Sequence, residues 1–274
     1  MRYRRIAAAV LRRLKSRAGS VAGGVVGPVT HVKTRDRKVA LTFDDGPHPL
    51  YTMRLLEILD RYGAKATFFV VGEAARRYPR ILQEIAGAGH AIGNHSWDHR
   101  SFPLLSRGER RRQLRACAEA LAPYGCGLFR PPFGHHTWGA LLDARLLGYT
   151  SVMWNTVGHD WYDRSAAFIS EKVMRETTPG SIVLLHDALF TLEDSRHADR
   201  GETISAVGAV LRGLGGSYEF VTVPELFRCG SIVRSTDTNM PDKSRLAWLG
   251  TLRRGDHILS PSPVSKGHSS RRQL

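Results

Sequence analysis

The chain has 274 residues, 42% hydrophobic and 24% charged, which is long enough for a buried core and too ordinary for wholesale disorder. No run approaches the roughly eighteen apolar residues of a transmembrane helix. Three cysteines, Cys117, Cys126 and Cys229, are too few for a disulfide framework or a zinc ribbon, and a formal charge of +15 argues for an anionic partner only if it is concentrated.

It is concentrated at the ends. Residues 1–37 carry ten basic residues against the single acid Asp36, and residues 228–274 carry nine against three. The 21 basic and 21 acidic residues of 38–227 balance. Near the N-terminus, Ile6–Leu11 runs straight into Arg12 and Arg13. That is shorter than the roughly 7–15 apolar residues of a secretory core segment, so a cytoplasmic location is expected. Wound as a helix, Tyr3, Ile6, Ala7, Val10, Leu11 and Leu14 share one face. That face suits peripheral contact with an anionic membrane, such as the inner membrane face, and suits a solvated basic helix equally. Gly23, Gly24, Gly27 and Pro28 end any such helix before the domain begins.

From Lys38 a short apolar run followed by a helical-period segment recurs. Strands are predicted at Val39–Phe43, Ala66–Val71, His90–Gly93, Gly127–Arg130, Thr150–Trp154, Ser181–Leu185 and Phe220–Val223. Helices are predicted near 51–62, 74–88, 107–122, 138–147, 165–176 and 203–214. Gly63, Gly89, Gly125, Gly148 and Gly180 stand near or just beyond helix ends, where a left-handed cap is favoured. The alternation implies an α/β fold with about seven parallel strands, curled into a barrel. A doubly wound open sheet is disfavoured, because two acids stand where its glycine-rich phosphate loop belongs. The expected division is a basic extension over 1–37, a catalytic domain over 38–228 and a basic, mostly flexible tail over 229–274. Within the tail, Leu246–Leu252 could dock locally.

In parallel α/β folds chemistry gathers at the C-terminal ends of the strands. There this chain places Asp44 and Asp45, then Asn94 to His99, then Arg130 to Phe133, then His159 to Trp161, then His186 and Asp187. Two adjacent carboxylates leaving an apolar strand need a cation or positive neighbour. His95 and His99 have i, i+4 spacing, and one carboxylate with two imidazoles forms a facial set suited to a divalent metal.

These residues resemble the polysaccharide deacetylases, the NodB-homology domain of carbohydrate esterase family four. The resemblance covers roughly residues 36–228 and rests on five ordered segments: Thr-Phe-Asp-Asp-Gly-Pro at 42–47, His-Ser-Trp-Asp-His at 95–99, Arg-Pro-Pro-Phe-Gly at 130–134, His-Asp-Trp at 159–161 and Leu-Leu-His-Asp at 184–187. It implies a deformed (β/α) barrel and a metal held by Asp45, His95 and His99, with Zn expected and Co, Mn, Fe or Ni as alternatives. It further implies that Asp44 is the general base, that Arg130 holds it, and that His186 is the acid oriented by Asp160. Phe133 replaces the family's usual Tyr, whose backbone N–H serves the oxyanion. Trp161 and Leu185 would wall the pocket for the acetyl methyl. Val157 departs from the pattern, since the family often has an acid at that place. His48, His135 and His136 read as surface-loop histidines beside the site.

The implied activity is metal-dependent removal of N-acetyl groups from an N-acetylglucosamine-containing oligosaccharide, polysaccharide or glycoconjugate. The alternatives are an O-acetyl esterase on xylan-like glycans and a non-catalytic sugar-binding relative. The balanced centre has no basic stripe interleaved with aromatics, so no specific nucleic-acid partner is expected. The Arg110–Arg112 run reads as a solvated helix face.

Overall fold

The computed structural model describes Gly24 and residues 26–191 and 195–251. The amphipathic face from Tyr3 to Leu14 and the end of the basic tail lie outside them. In chain order the elements are β1 (Val29–Lys33), β2 (Lys38–Asp44), α1 (Tyr51–Arg61), β3 (Ala66–Val70), α2 (Gly72–Arg77), α3 (Pro79–Gly87), β4 (Ala91–Asn94), α4 (Arg107–Leu121), β5 (Gly125–Phe129), α5 (Trp138–Leu146), β6 (Thr150–Ser151), β7 (Thr156–Val157), α6 (Ala166–Glu176), β8 (Ile182–His186), α7 (Gly201–Leu214), β9 (Glu219–Phe220), α8 (Val223–Leu226), β10 (Ser231–Arg234) and α9 (Lys243–Thr251).

The expected parallel, curled sheet is present, in the order β6-β5-β4-β3-β2-β8-β7, with β9 pairing beside the start of β2. Its two faces are read directly from strand alternation. Val39, Leu41, Phe43, Phe68, Val183 and Leu185 point out and pack with the helices. Ala40, Phe69 and Ile182 point in, where they meet Val29, Val152 and Val221. Each fully buried Phe among them contributes about 1.5–3 kcal/mol. This parity decides what faces the site. Asp44 is in register with Phe69 on one side and His186 on the other, so all three share the inner face.

Several boundaries differ from the sequence expectation for local reasons. The predicted helix over 74–88 divides at Tyr78, because the residue before Pro79 is pushed out of the helical region and Pro79 opens the next helix. Gly125 begins β5 instead of capping a helix. The strand expected over Phe220–Val223 stops early: Thr222 and Glu225 form a reciprocal capping box that starts α8. Arg107, Arg110 and Arg111 are not simply a solvated face, since all three converge on the buried carboxylate of Asp143 at 3.0, 2.7 and 3.1 Å.

The catalytic-domain limits of 38–228 are too narrow for the packed fold. β1 and β10 pair antiparallel, joining segments about two hundred residues apart. Val29 bridges to Val152 beside the edge strand β6 and His31 bridges to Ser181 beside β8, so the ribbon links the two sides of the curled sheet. Val29 and Val32 are fully buried in the inner core. Gly180 (φ +85°) is obligatory here, because a Cβ would collide with the Val32 carbonyl. Residues 229–251 are likewise not a flexible tail: β10 and α9 are ordered elements, and Leu249 is buried.

Candidate active site and metal centre

Asp44 ends β2 on the inner face. Its Oδ1 accepts a 2.7 Å hydrogen bond from Arg130 Nη1, and its Oδ2 lies 3.7 Å from His95 Nε2. Arg130 is completely buried, and each of its three side-chain nitrogens donates a hydrogen bond. It donates to Thr42 Oγ1 at 2.8 Å, to the Val152 carbonyl at 3.2 Å and to the Met153 carbonyl at 3.0 Å. Its guanidinium carbon lies 4.0 Å from the centre of the Phe69 ring. A guanidinium so fixed holds one edge of the Asp44 carboxylate and leaves Oδ2 turned toward the histidines.

One residue on, Asp45 takes φ +78° and redirects its carboxylate. Its Oδ2 accepts from the Phe190 N–H at 3.0 Å. Its Oδ1 lies 3.2 Å from His95 Nε2 and 3.1 Å from His99 Nε2. His95 Nδ1 sits 2.8 Å from the Arg130 carbonyl, which can only accept, so Nδ1 donates and the neutral ring presents a lone pair at Nε2. His99 Nδ1 contacts Thr191 Oγ1 at 3.0 Å. The three donor atoms lie within 4.8 Å of one another, and Asp45 Oδ1 is buried without a hydrogen-bond partner. An orphaned carboxylate oxygen facing two oriented imidazoles fits a divalent cation. Burial opposes ionisation of Asp45, but His99 and His95 hold it well below the usual carboxylate range. Burial is the largest influence on His99 and lowers it, toward the neutral form that ligates a metal, against the opposing pull of Asp45.

His186 ends β8 in register with Asp44 at the end of β2. Its Nδ1 bonds Asp160 Oδ1 at 2.9 Å, while its backbone N–H donates to Asp160 Oδ2 at 2.8 Å. Thr203 Oγ1 adds a bond to Oδ2 at 3.2 Å, and Arg200 holds the Asp160 carbonyl at 2.7 Å. Burial alone would lower the His186 imidazole, but Asp160, with Asp45 and Asp44 beyond it, raises it to about 9. The Trp161 ring meets His186 edge-on at 5.4 Å.

The pocket residue Leu185 needs correcting. It packs outward among the helix-side core, against Ile169 and Val173 across Gly158. Leu184 shares the inner face with His186, so Leu184 is the leucine that can wall a pocket there. Two of the three loop histidines are also buried. His48 Nδ1 accepts from the N–H groups of Leu50 and Tyr51 at 3.2 and 3.3 Å, and so caps the start of α1. His136 bonds the Gly134 and Asp237 carbonyls.

Phe133 lies in a tight turn over Pro132–Gly134 at φ +57°. The turn's own bonds, Gly134 N to Pro131 O at 2.9 Å and His135 N to Pro132 O at 3.0 Å, do not use the Phe133 N–H. Its ring lies 4.4 Å from that of His99. Among the described residues the non-glycine positions with positive φ are Asp45, Ser96, His99, Phe133 and His159. All five fall in the loops at the same end of the sheet. Each such conformation costs about 1–3 kcal/mol and persists only where the surroundings fix it. Gly46 is fixed in another way. Its N–H donates to Asp187 Oδ1 at 3.2 Å, and a Cβ would collide with that carboxylate, itself held by Thr52.

Of the expected site residues, Asp44, Asp45, His95, His99, Arg130, Asp160 and His186 come together at one end of the sheet, while Leu185 faces away. Thr42, Thr191, Arg200 and Thr203, which brace Arg130, His99 and Asp160 in turn, were not among the expected site residues. No helix among the described residues is long and apolar enough to cross a membrane.

The profile of the polysaccharide deacetylase family matches residues 31–152. Two peptidoglycan-N-acetylglucosamine deacetylases of Bacillus cereus are similar to this chain. One is 38% identical over 152 residues, covering 54% of this chain and 55% of its own length. The other is 33% identical over 202 residues, covering 72% of this chain and 91% of its own. The chitooligosaccharide deacetylase of Azorhizobium caulinodans is 32% identical over 198 residues, 69% of this chain and 94% of the relative. Among solved structures, the Bc1960 peptidoglycan N-acetylglucosamine deacetylase superposes with a TM-score of 0.68 at 30% identity, over 74% of this chain and 93% of that one.

Proposed function

The chain belongs to the polysaccharide deacetylase family, and on that premise we propose that it removes N-acetyl groups from N-acetylglucosamine-containing glycans. The observation that carries this reading is the convergence of Asp45 Oδ1, His95 Nε2 and His99 Nε2 beside a carboxylate held by Arg130 and in register with a protonatable histidine. Zn suits the mixed oxygen and nitrogen donors, and Co, Mn, Fe or Ni can replace it.

When bound, the cation supplies Lewis acidity toward the acyl carbonyl and toward water. Asp44 Oδ2 accepts the proton that water loses as its oxygen bonds to the carbonyl carbon. The Phe133 N–H donates to the oxyanion, a contribution of about 3–4 kcal/mol for one such donor. With Nδ1 tied to Asp160, His186 delivers a proton from Nε2 to the amide nitrogen as the C–N bond breaks. Acetate and a free amine result. Trp161 and Leu184 wall the space for the methyl group.

Two measurements check this. Acetate release from N-acetylated chitooligosaccharides, set against release from acetylxylan, separates amidase from esterase; release from the xylan alone would overturn the N-deacetylase reading. The pH profile checks His186. As an acid with a raised pKa it is present below about 9 and lost above it, so kcat falls on the alkaline side. A bound cation offsets Asp44 and Asp45 and draws that limb downward. Asp160→Asn is expected to move it lower still, by roughly one to two pH units. An unmoved limb would remove His186 from the acid's role.

The basic flanks support peripheral attachment to an anionic membrane on its cytoplasmic side. Deleting residues 1–20 is expected to weaken co-sedimentation with phosphatidylserine vesicles while acetate release from a soluble oligosaccharide persists. Unchanged sedimentation would retire the tether.

A further inference from the structure

The residues that follow β8 reach both loops that carry the prospective metal donors. Asp187 Oδ1 accepts from the Gly46 N–H at 3.2 Å, and the Phe190 N–H donates to Asp45 Oδ2 at 3.0 Å. Thr191 Oγ1 lies 3.0 Å from His99 Nδ1. Phe190 anchors the segment, with its side chain fully buried against Val71 and Ala74. That seat is where the two loops meet. The Val71 N–H donates to the Gly46 carbonyl at 3.1 Å, and the next N–H, of Gly72, donates to the Ser96 carbonyl at 2.9 Å. Residues 187–191 are therefore pinned across the loop after β2 and the loop after β4, and the pinning brings Thr191 to His99.

The two imidazoles are oriented by different kinds of group. His95 Nδ1 faces the Arg130 carbonyl, which can only accept. A hydroxyl can accept or donate, so the Thr191 contact alone leaves the His99 tautomer open. Asp45 Oδ1 closes it. That oxygen lies 3.1 Å from His99 Nε2 and yet takes no hydrogen bond. The proton of the neutral ring then belongs on Nδ1, with Thr191 Oγ1 as its acceptor, and the Nε2 lone pair is left for a cation.

We propose that Thr191, carried to His99 by the buried Phe190, is a positioning residue that fixes the metal-ligating tautomer of His99 and so sets the affinity of the centre for its cation. This rests on the metal-dependent reading and adds to it a residue that contacts a prospective ligand and is not itself one of the three donors. Replacing Thr191 by Val exchanges the hydroxyl for a methyl group of nearly the same shape. The His99 Nδ1–H then loses its acceptor, and the tautomer with the proton on Nε2, which cannot ligate, becomes competitive.

The test is Zn binding to chelator-stripped protein, measured by competition with a chromophoric chelator and without any substrate. Thr191→Val is expected to raise the Kd about 10–100-fold, the range for an outer partner of a metal-ligating histidine. Thr191→Ser keeps the hydroxyl and should return the Kd close to the wild-type value. Ring nitrogen shifts of the metal-free protein read the tautomer directly: the wild type should show His99 protonated on Nδ1, and Thr191→Val a mixture of the two forms. A Kd in Thr191→Val equal to that of the wild type would overturn the proposal, as would wild-type His99 found with its proton on Nε2. Equal weakening in Thr191→Val and Thr191→Ser would also overturn it, since packing and not the hydroxyl would then be responsible. Failure of the wild type to bind Zn at all would refute the metal centre itself, a different result from an unchanged Kd. Thermal unfolding of the metal-free variants at the wild-type temperature confirms that they are folded.

Discussion

Asp44→Asn is expected to lower kcat by about 10²–10⁴-fold, the range contributed by a positioned general base. The isosteric amide can still accept from Arg130 Nη1 through its oxygen, so the local shape is kept. What disappears is the basicity at Oδ2, the atom that faces His95. The group that could hold a metal is Asp45, His95 and His99, and Asp44 is not among them. The variant should therefore still bind one divalent cation, read by isothermal titration with Zn. Loss of metal with loss of turnover would show that Asp44 is a ligand. Retention of turnover would show that another group takes the proton.

Arg130→Met is expected to destabilise the fold by about 3–5 kcal/mol, the cost of removing one partner from a buried ion pair. The reason is the number of groups left behind. The Asp44 carboxylate, the Thr42 hydroxyl and the carbonyls of Val152 and Met153 all lose a donor inside the sheet. Urea unfolding measures this directly. The double variant Asp44→Asn/Arg130→Met should be destabilised by less than the two single effects combined, because the amide leaves no unpaired charge. Strict additivity would mean that the pair does not act as one unit.

The chemistry-bearing positions were legible because they interrupt apolar runs. A strand that ends in Asp44-Asp45, or in His186-Asp187, has no packing reason to do so, and the strand–helix alternation places both at one end of the sheet. Arg130 was legible in the same way. Leu185 came from the family resemblance, and the strand itself offered no check: Ile182 to Leu185 is apolar throughout, so the inward residue emerges only from the register against Asp44. The closing ribbon was missed for a different reason. Val29–Lys33 and Ser231–Arg234 are half polar and lie in the basic flanks, and their pairing joins distant parts of the chain. The same holds for Thr191, Arg200 and Thr203. They are ordinary loop and helix residues by sequence, and they matter only because the fold carries them to His99 and Asp160.

The excess of +15 lies in the flanks, yet the C-terminal flank is partly folded, and one of its cations, Arg245, stands over the Phe133 ring beside the site.

On the proposed mechanism, deacetylation depends on a divalent metal held by Asp45, His95 and His99. Acetate release from N-acetylated chitooligosaccharide, followed through chelation and then addition of Zn, tests it most directly. The expected result is loss of release on chelation and its return with Zn in the wild type, with no return in His95→Ala. Release that persists after the metal has been removed would contradict the account.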